Sequence, residues 1–327
     1  MMRPSHRISV FTAGAMLAAA LLAGCIDDGG VEGTFDRTLK VDGPAQLDVT
    51  TGSGDVRITQ GSGGEVRVHG EIHAHGWSAE GSQEKLKEIE ANPPISQENN
   101  LIRVGGVGRR ANDVSIDYTI EVPANTELHS VAGSGDVNVS GIQGPANFSA
   151  GSRNITVSAI GNDIQALAGS GDVKISDVQG QVQVTTGSGD IDVRTAKGAV
   201  RVHAGYGDIQ ITQPNDNVVA ETGGGNVSVE GAHADLRIHT GSGEITIDGN
   251  PGVSNYWDLR ASSGDVSFRV PSTASLRLYA HTGSGDIDAQ IPIVMEGTAA
   301  KHELRARIGE GKARVEVETS SGKITLH

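Results

Sequence analysis

Short bursts of alternating apolar and polar residues run along most of this 327-residue chain, and they keep phase with a five-residue motif. Gly52-Ser53-Gly54-Asp55-Val56 recurs at 133–137 and 169–173, and with Ile in the last place at 187–191 and 283–287. Looser copies stand at 151–155, 205–209, 223–227, 241–245, 262–266 and 320–324. The residue after the polar position is Val or Ile in every copy. Two residues on come Ile58, Val139, Val157, Ile175, Val193, Ile211, Val229, Ile247, Phe268, Ala289 and Leu326, with a polar residue between. A period of two with one apolar side is a half-buried strand. A second such strand precedes each motif, as in Val182, Val184 and Thr186 before Gly187.

The polar positions 136, 154, 172, 190, 208, 226 and 244 are eighteen residues apart, and the next two steps, to 265 and 286, are twenty-one. One unit of two short strands cannot bury its apolar side alone, but copies stacked in parallel about 4.8 Å apart put like above like. The pattern therefore predicts an all-β parallel β-solenoid (β-helix) of about eighteen residues per coil, with two strands per coil. Glycine at the motif corners is expected to supply positive φ and to let successive coils approach. A propeller or sandwich of antiparallel hairpins offers no reason for a strict phase.

The phase breaks between residues 59 and 131. Residues 65–72 alternate like a further strand. Residues 82–90 read as a small helix with Leu86 and Ile89 on one face, stopped by Pro93-Pro94. Residues 101–104 and 114–122 are expected to be strands paired with each other. This gives a helix-bearing N-terminal coil and capping module over 34–132, and regular repeats with a C-terminal cap over 133–327.

The first residues read as a leader. Arg3 and Arg7 precede an apolar run from Val10 to Ala23, which ends in Leu22-Ala23-Gly24-Cys25. The run is too short for a stable span. Small residues before a cysteine resemble the lipobox of a bacterial lipoprotein signal. That resemblance implies a signal peptide over 1–24, cleavage before Cys25 and lipidation of Cys25, with a lipidated linker over 25–33. Cys25 is the only cysteine, so no intramolecular disulfide competes for it. Ile26 in place of an Asp favours the outer membrane over the inner one if the organism is diderm.

Charge narrows the partners. The chain carries −14, and loss of residues 1–24 removes two arginines and no acid, leaving −16. That disfavours nucleic acid and anionic lipid surfaces. The motif copies, the segment Ile120-Glu121-Val122-Pro123 and the helix before it resemble a bacterial family of β-strand repeats known as putative adhesins, a domain of unknown function. The resemblance covers about residues 31–327. It implies surface binding or adhesion and carries over no catalytic residues.

The row of repeat-turn acids is the obvious candidate chemistry: Asp55, Asp136, Asp172, Asp190, Asp208, Glu244, Asp265 and Asp286. Stacked carboxylates repel, so a hard cation could compensate. The simpler reading is turn capping, in which the side chain accepts backbone N–H groups. Asn154 and Asn226 in the same row fit capping better than a charge-dependent site. His69, His73 and His75 alternate on one strand and could hold a transition metal, yet exposed strand histidines are common and no metal site is assigned. His203, His239 and His281 are expected at the surface. No nucleophile elbow, phosphate loop or His-Glu-x-x-His motif is present, and no cofactor is implied. The expectation is a non-enzymatic, lipid-anchored envelope scaffold whose partner is a glycan or an envelope protein. Two alternatives remain: a β-helix carbohydrate-active enzyme, or a cation-stabilised structural protein.

Overall fold

A computed structural model describes residues 30–75, 79–106, 113–297 and 300–327. The leader, Cys25 and most of the linker lie outside these residues. The chain folds as the pattern dictates, into two long sheets that face each other across one apolar core. Each regular coil gives one strand to each sheet. Val173–Val178 pairs in parallel with Ile155–Ile160 on one side and Ile191–Ala196 on the other, and Val182–Thr186 lies between Ile164–Ala168 and Val200–Ala204. Equivalent residues stack in register, so Ile155, Val173, Ile191, Ile209 and Val227 form one inward column, all buried.

Two sequence expectations need correction. Of the motif glycines, only Gly207 and Gly264 have positive φ, at 149° and 153°. Close approach is the general reason for the others. A methyl group on Gly135, Gly171, Gly189, Gly225 or Gly243 would lie 1.9 to 2.0 Å from a backbone oxygen of the coil beneath. Left-handed backbone falls instead at the opposite corner, at Gly141, Ala159, Asp177, Thr195, Gln213 and Gly231, again eighteen apart. There the strand skips one residue and turns a third apolar side chain inward, namely Ile142, Ile160, Val178, Ala196 and Ala232. A β-branched residue fits this geometry poorly: Thr195 sits at φ 55°, where an L-residue pays about 1–2 kcal/mol. Glycine would lose roughly 0.5–1 kcal/mol through its looser unfolded chain. Thr195→Gly is therefore expected to stabilise the protein by up to about 1 kcal/mol, read as a higher urea midpoint with unchanged slope.

The second correction concerns the ends. Leu101–Gly105 and Val114–Val122 do not pair with each other. The first joins the second sheet beside Ala45–Thr51, and the other joins the first sheet beside Val56–Gln60. They form one coil lying outside the coil 45–60, which itself stacks directly on the coil 126–140. The boundary expected at 132/133 thus falls within a coil. Coil order is permuted at the other end too. The last stretch of sequence, Ala313–Ser321 and Ile324–Leu326, inserts between the coil 256–269 and the coil 276–289. Ile287 and Ala289 are consequently only half-buried, because they end the first sheet.

Antiparallel strands close the stack. Beyond Val114–Val122, Glu65–His75 and then Gly30–Lys40 extend the first sheet, and Glu303–Ile308 covers the edge of Leu276–Ser284 in the second. Such reversals interrupt the repeating parallel edge that would otherwise recruit another chain. The helix runs over Ala79–Ala91 and packs on the strands Gly30–Lys40 and Glu65–His75. Leu86 is buried, Ile89 is half-buried, and Gly33 leaves room for Leu86, whose Cδ1 would lie 2.6 Å from a methyl there. Beneath it, Gly70 makes space for the Phe35 ring, which meets Tyr118 edge-on at 6.4 Å. Burial pushes the Tyr118 phenol up.

Candidate functional site

The repeat-turn acids stand in a row, and what joins them is a ladder between coils. The backbone N–H of Asp136 donates to Asp55 Oδ1 at 2.8 Å, that of Asn154 to Asp136 Oδ1 at 3.0 Å, and that of Asp172 to Asn154 Oδ1 at 2.9 Å. Asp190, Asp208, Asn226 and Glu244 continue the series. Each side chain thus satisfies a corner N–H of the next coil. An amide oxygen serves as well as a carboxylate, which accounts for Asn154 and Asn226. The ladder stops at Glu244, whose longer side chain meets Thr246 Oγ1 at 3.4 Å. It resumes once, where the Lys323 N–H donates to Asp265 Oδ1 at 2.7 Å. Lys323 offers no acceptor, so Asp286 stands outside the ladder, and Lys323 Nζ turns to Asp288 Oδ2 at 3.3 Å.

A second, partial ladder occupies the opposite corner. Asp163 Oδ1 accepts from the Gln181 N–H, Asn217 Oδ1 from the Asp235 N–H, and Asp235 Oδ1 from the Tyr256 N–H. Its sign in the sequence is a polar residue just before the strand at 163, 181, 217 and 235, which keeps the same phase. Buried threonines line the inside of the motif corner. Thr222, Thr240 and Thr319 each donate Oγ1–H to a glycine carbonyl of a neighbouring turn at 2.8 to 3.0 Å.

Outward residues differ from coil to coil, and the outer face of the second sheet holds the most varied chemistry. Register aligns Gln183, Arg201, Val219, Arg237, Asp258 and Glu316 in one row. Thr185, His203, Glu221, His239, Arg260 and Glu318 form the next. His203, His239 and His281 are exposed, and His203 Nδ1 lies 3.7 Å from Glu221 Oε2. Arg260 binds Asp258 at 2.7 Å. Arg201 and Arg237 form no ion pair among the described residues. They flank a shallow groove of about 400 Å³, which Gln181, Gln183, Asn217 and Tyr256 also line.

Tyr256 closes one end of that groove. Its hydroxyl donates to Glu316 Oε2, and Arg314 stacks 5.7 Å from its ring centre while also donating to Glu316. Burial, with the bond to Glu316, pushes the Tyr256 phenol up to about 12. The same bond, helped by Arg314, holds Glu316 below the usual carboxylate range. Both groups are thus driven away from neutrality, the reverse of what a general acid or base requires. A larger depression of about 550 Å³ lies at the N-terminal corner of this sheet, but three of its polar side chains are already engaged. Gln46 bonds Glu127 at 3.0 Å, and Asn100 Oδ1 accepts from the Asp42 N–H at 3.1 Å.

On the first sheet, His69, Glu71, His73 and His75 share the outer face of Glu65–His75. His69 and His73 stand among acids, with His69 Nδ1 2.9 Å from Asp36 Oδ1 and His73 Nε2 3.3 Å from Asp117 Oδ2.

Among solved structures, the chain is similar to a putative cell adhesion protein from Clostridium sporogenes ATCC 15579, at 14% identity over 90% of this chain and 99% of that one, with a TM-score of 0.22. It is similar also to a putative adhesin from Bacteroides fragilis NCTC 9343, at 14% identity, 90% and 97% coverage and a TM-score of 0.39. A third is a putative adhesin from Parabacteroides merdae ATCC 43184, at 12% identity, 90% and 96% coverage and a TM-score of 0.26. No curated protein matches. The family described as Toastrack DUF4097 matches residues 45–327, which is most of the chain and includes every motif copy, and the protein belongs to that family.

Proposed function

We propose that this protein is a non-enzymatic cell-envelope lipoprotein, held on the membrane through lipids on Cys25, whose solenoid presents a rigid binding face to an acidic envelope glycan. The observation that carries the reading is the groove on the second sheet. Arg201 and Arg237 are two unpaired guanidiniums at one register, two strands and so about 10 Å apart. Between and beside them lie half-buried Val219, the amides of Gln181, Gln183 and Asn217, the Tyr256 ring, and Asp235, whose Oδ1 is engaged by the Tyr256 N–H and Asn255 Nδ2. Guanidinium forks match carboxylates. Amides serve hydroxyls in both directions, and an aromatic face packs on apolar sugar surface. Stacked strands fix Arg201, Arg237, Gln183, Val219 and Tyr256, and the second corner ladder ties the turns that carry Gln181 and Asn217, so little ordering opposes binding.

The anchor rests on the charge, apolar run, small residues and Cys25 in order. More than one acyl chain is needed for stable attachment, and lipobox cysteines supply that. Ile26 favours the outer membrane in a diderm cell.

The test is binding of the full chain, in detergent, to arrayed acidic and neutral envelope glycans, with chromatography of the glycan afterwards. Expected are retention of carboxylate-bearing glycans, no shortened product, and at least about a tenfold loss in Arg201→Ala/Arg237→Ala. Retention unaffected by the double variant would overturn the groove. A shortened glycan would replace the scaffold by an enzyme. Cys25→Ser is expected to move the protein from the membrane to the soluble fraction of cells, and retention there would overturn the anchor.

A further inference from the structure

The N-terminal strands of the first sheet place histidines and acids in an alternating array that the groove does not use and that meets the corner ladder at Asp117. Register sets Glu32 opposite His73, and Asp36 opposite His69, between the strands Gly30–Lys40 and Glu65–His75. On the other side Glu71 stands directly opposite Asp117 of Val114–Val122. Like charges in a cross-strand pair destabilise a sheet, so this pairing is costly unless a positive charge lies between.

The three groups converge. A ligand atom from each of Glu71, His73 and Asp117 lies within 4.8 Å of the others. His73 is aimed by a carboxylate on each ring nitrogen. Nε2 is 3.3 Å from Asp117 Oδ2, and Nδ1 is 3.5 Å from Glu32 Oε1. With its proton on Nδ1, on the side of Glu32, the ring turns a free Nε2 lone pair toward Asp117 and Glu71. That carboxylate–histidine arrangement is the usual support of a metal ligand. Asp117 is oriented as well, because its Oδ1 receives the Asp55 N–H at 2.7 Å, which leaves Oδ2 for the site. His69 Nε2, 3.6 Å from Glu71 Oε1, is within reach as a further ligand.

We infer that this face binds a divalent transition-metal ion of the zinc class through His73 Nε2, Glu71 and Asp117, with Glu32 orienting His73. One imidazole with two carboxylates is a ligand set for zinc and its neighbours. Calcium takes an all-oxygen shell and would gain little from His73. Three protein ligands on an exposed face leave a coordination position open to solvent or to a partner's side chain.

The full chain without a polyhistidine tag, freed of metal by chelator, would be titrated with Zn²⁺ and separately with Ca²⁺ in a calorimeter. One saturable Zn²⁺ site is expected, with no comparable Ca²⁺ heat. His73→Ala and Asp117→Asn should each weaken Zn²⁺ at least about tenfold, and Glu32→Gln by about tenfold. His203→Ala, on the other sheet, should leave it unchanged. Asp117→Asn keeps an oxygen for the Asp55 N–H and so keeps the fold, which circular dichroism checks. Absence of saturable Zn²⁺ binding, or equal affinity in folded His73→Ala and Asp117→Asn, would overturn the site.

Discussion

Replacing Gly189 by alanine is expected to cost about 3 kcal/mol or more of stability. The added methyl would lie 2.0 Å from the Gly171 carbonyl oxygen and 2.4 Å from its carbon. Both are backbone atoms of the coil beneath, and no rotamer change can move them. Relief requires the coils to part, which loosens the hydrogen bonds of that corner. The Gly189 N–H donates to Thr186 Oγ1 at 3.1 Å, and the Asp190 N–H donates to Asp172 Oδ1 at 3.0 Å. Because each coil touches mainly its neighbours, the damage should be local first. Hydrogen exchange would show lost protection around residues 171–209 before the ends of the stack respond. Gly52→Ala is the control. Gly52 belongs to the same motif, yet a methyl there meets nothing within 4 Å, and its effect should stay within about 0.5 kcal/mol. Equal losses in the two variants would show that glycine serves backbone freedom here rather than contact between coils.

Trp257→Ala should be comparably severe, at about 3–5 kcal/mol. Trp257 is the bulkiest fully buried side chain among the described residues and lies in register between Leu236 and Val315. It fills the point where the eighteen-residue coil gives way to a longer one, and its Nε1–H donates to the Ala234 carbonyl at 2.8 Å. Truncation opens a cavity and strips that carbonyl of its partner. Trp257→Phe retains much of the apolar volume and loses the hydrogen bond, so about 1–2 kcal/mol is expected. Denaturant midpoints for the three proteins separate the two contributions. A loss below about 1 kcal/mol for Trp257→Ala would mean that the longer coil collapses into the space.

The Toastrack architecture and the proposed activities rest on different features of the chain. The inward columns are nearly uniform, as stacking in register demands. The outward rows vary from Gln183 to Arg201 to Val219 to Arg237. A rigid frame with a variable skin suits recognition at a few places on a long face, and the groove beside Tyr256 and the histidine–acid array are the two places proposed, on opposite sheets.

Sequence alone determined the repeat, the two strands per coil, the inward Val and Ile columns and the row of turn acids. These follow from periods of two and eighteen, which depend on neighbours a fixed distance away along the chain. It also placed His69 and His73 on one face of one strand. Only the tertiary structure decided which strands lie side by side where the phase breaks. Asp117 and Glu71 are 46 positions apart and meet because Val114–Val122 runs antiparallel to Glu65–His75. Arg314 reaches Tyr256 because the last coil inserts before the one that precedes it in sequence. Corner chemistry was divided in the same way. The glycines were legible as punctuation, but whether they answer φ or the carbonyl of the coil below depends on a distance between coils that no local pattern encodes. The left-handed position fell on Ala159, Thr195 and Gln213 as well as on Gly141, Asp177 and Gly231, and the first three give no local sign of it, because packing of the next inward side chain outweighs the backbone preference there.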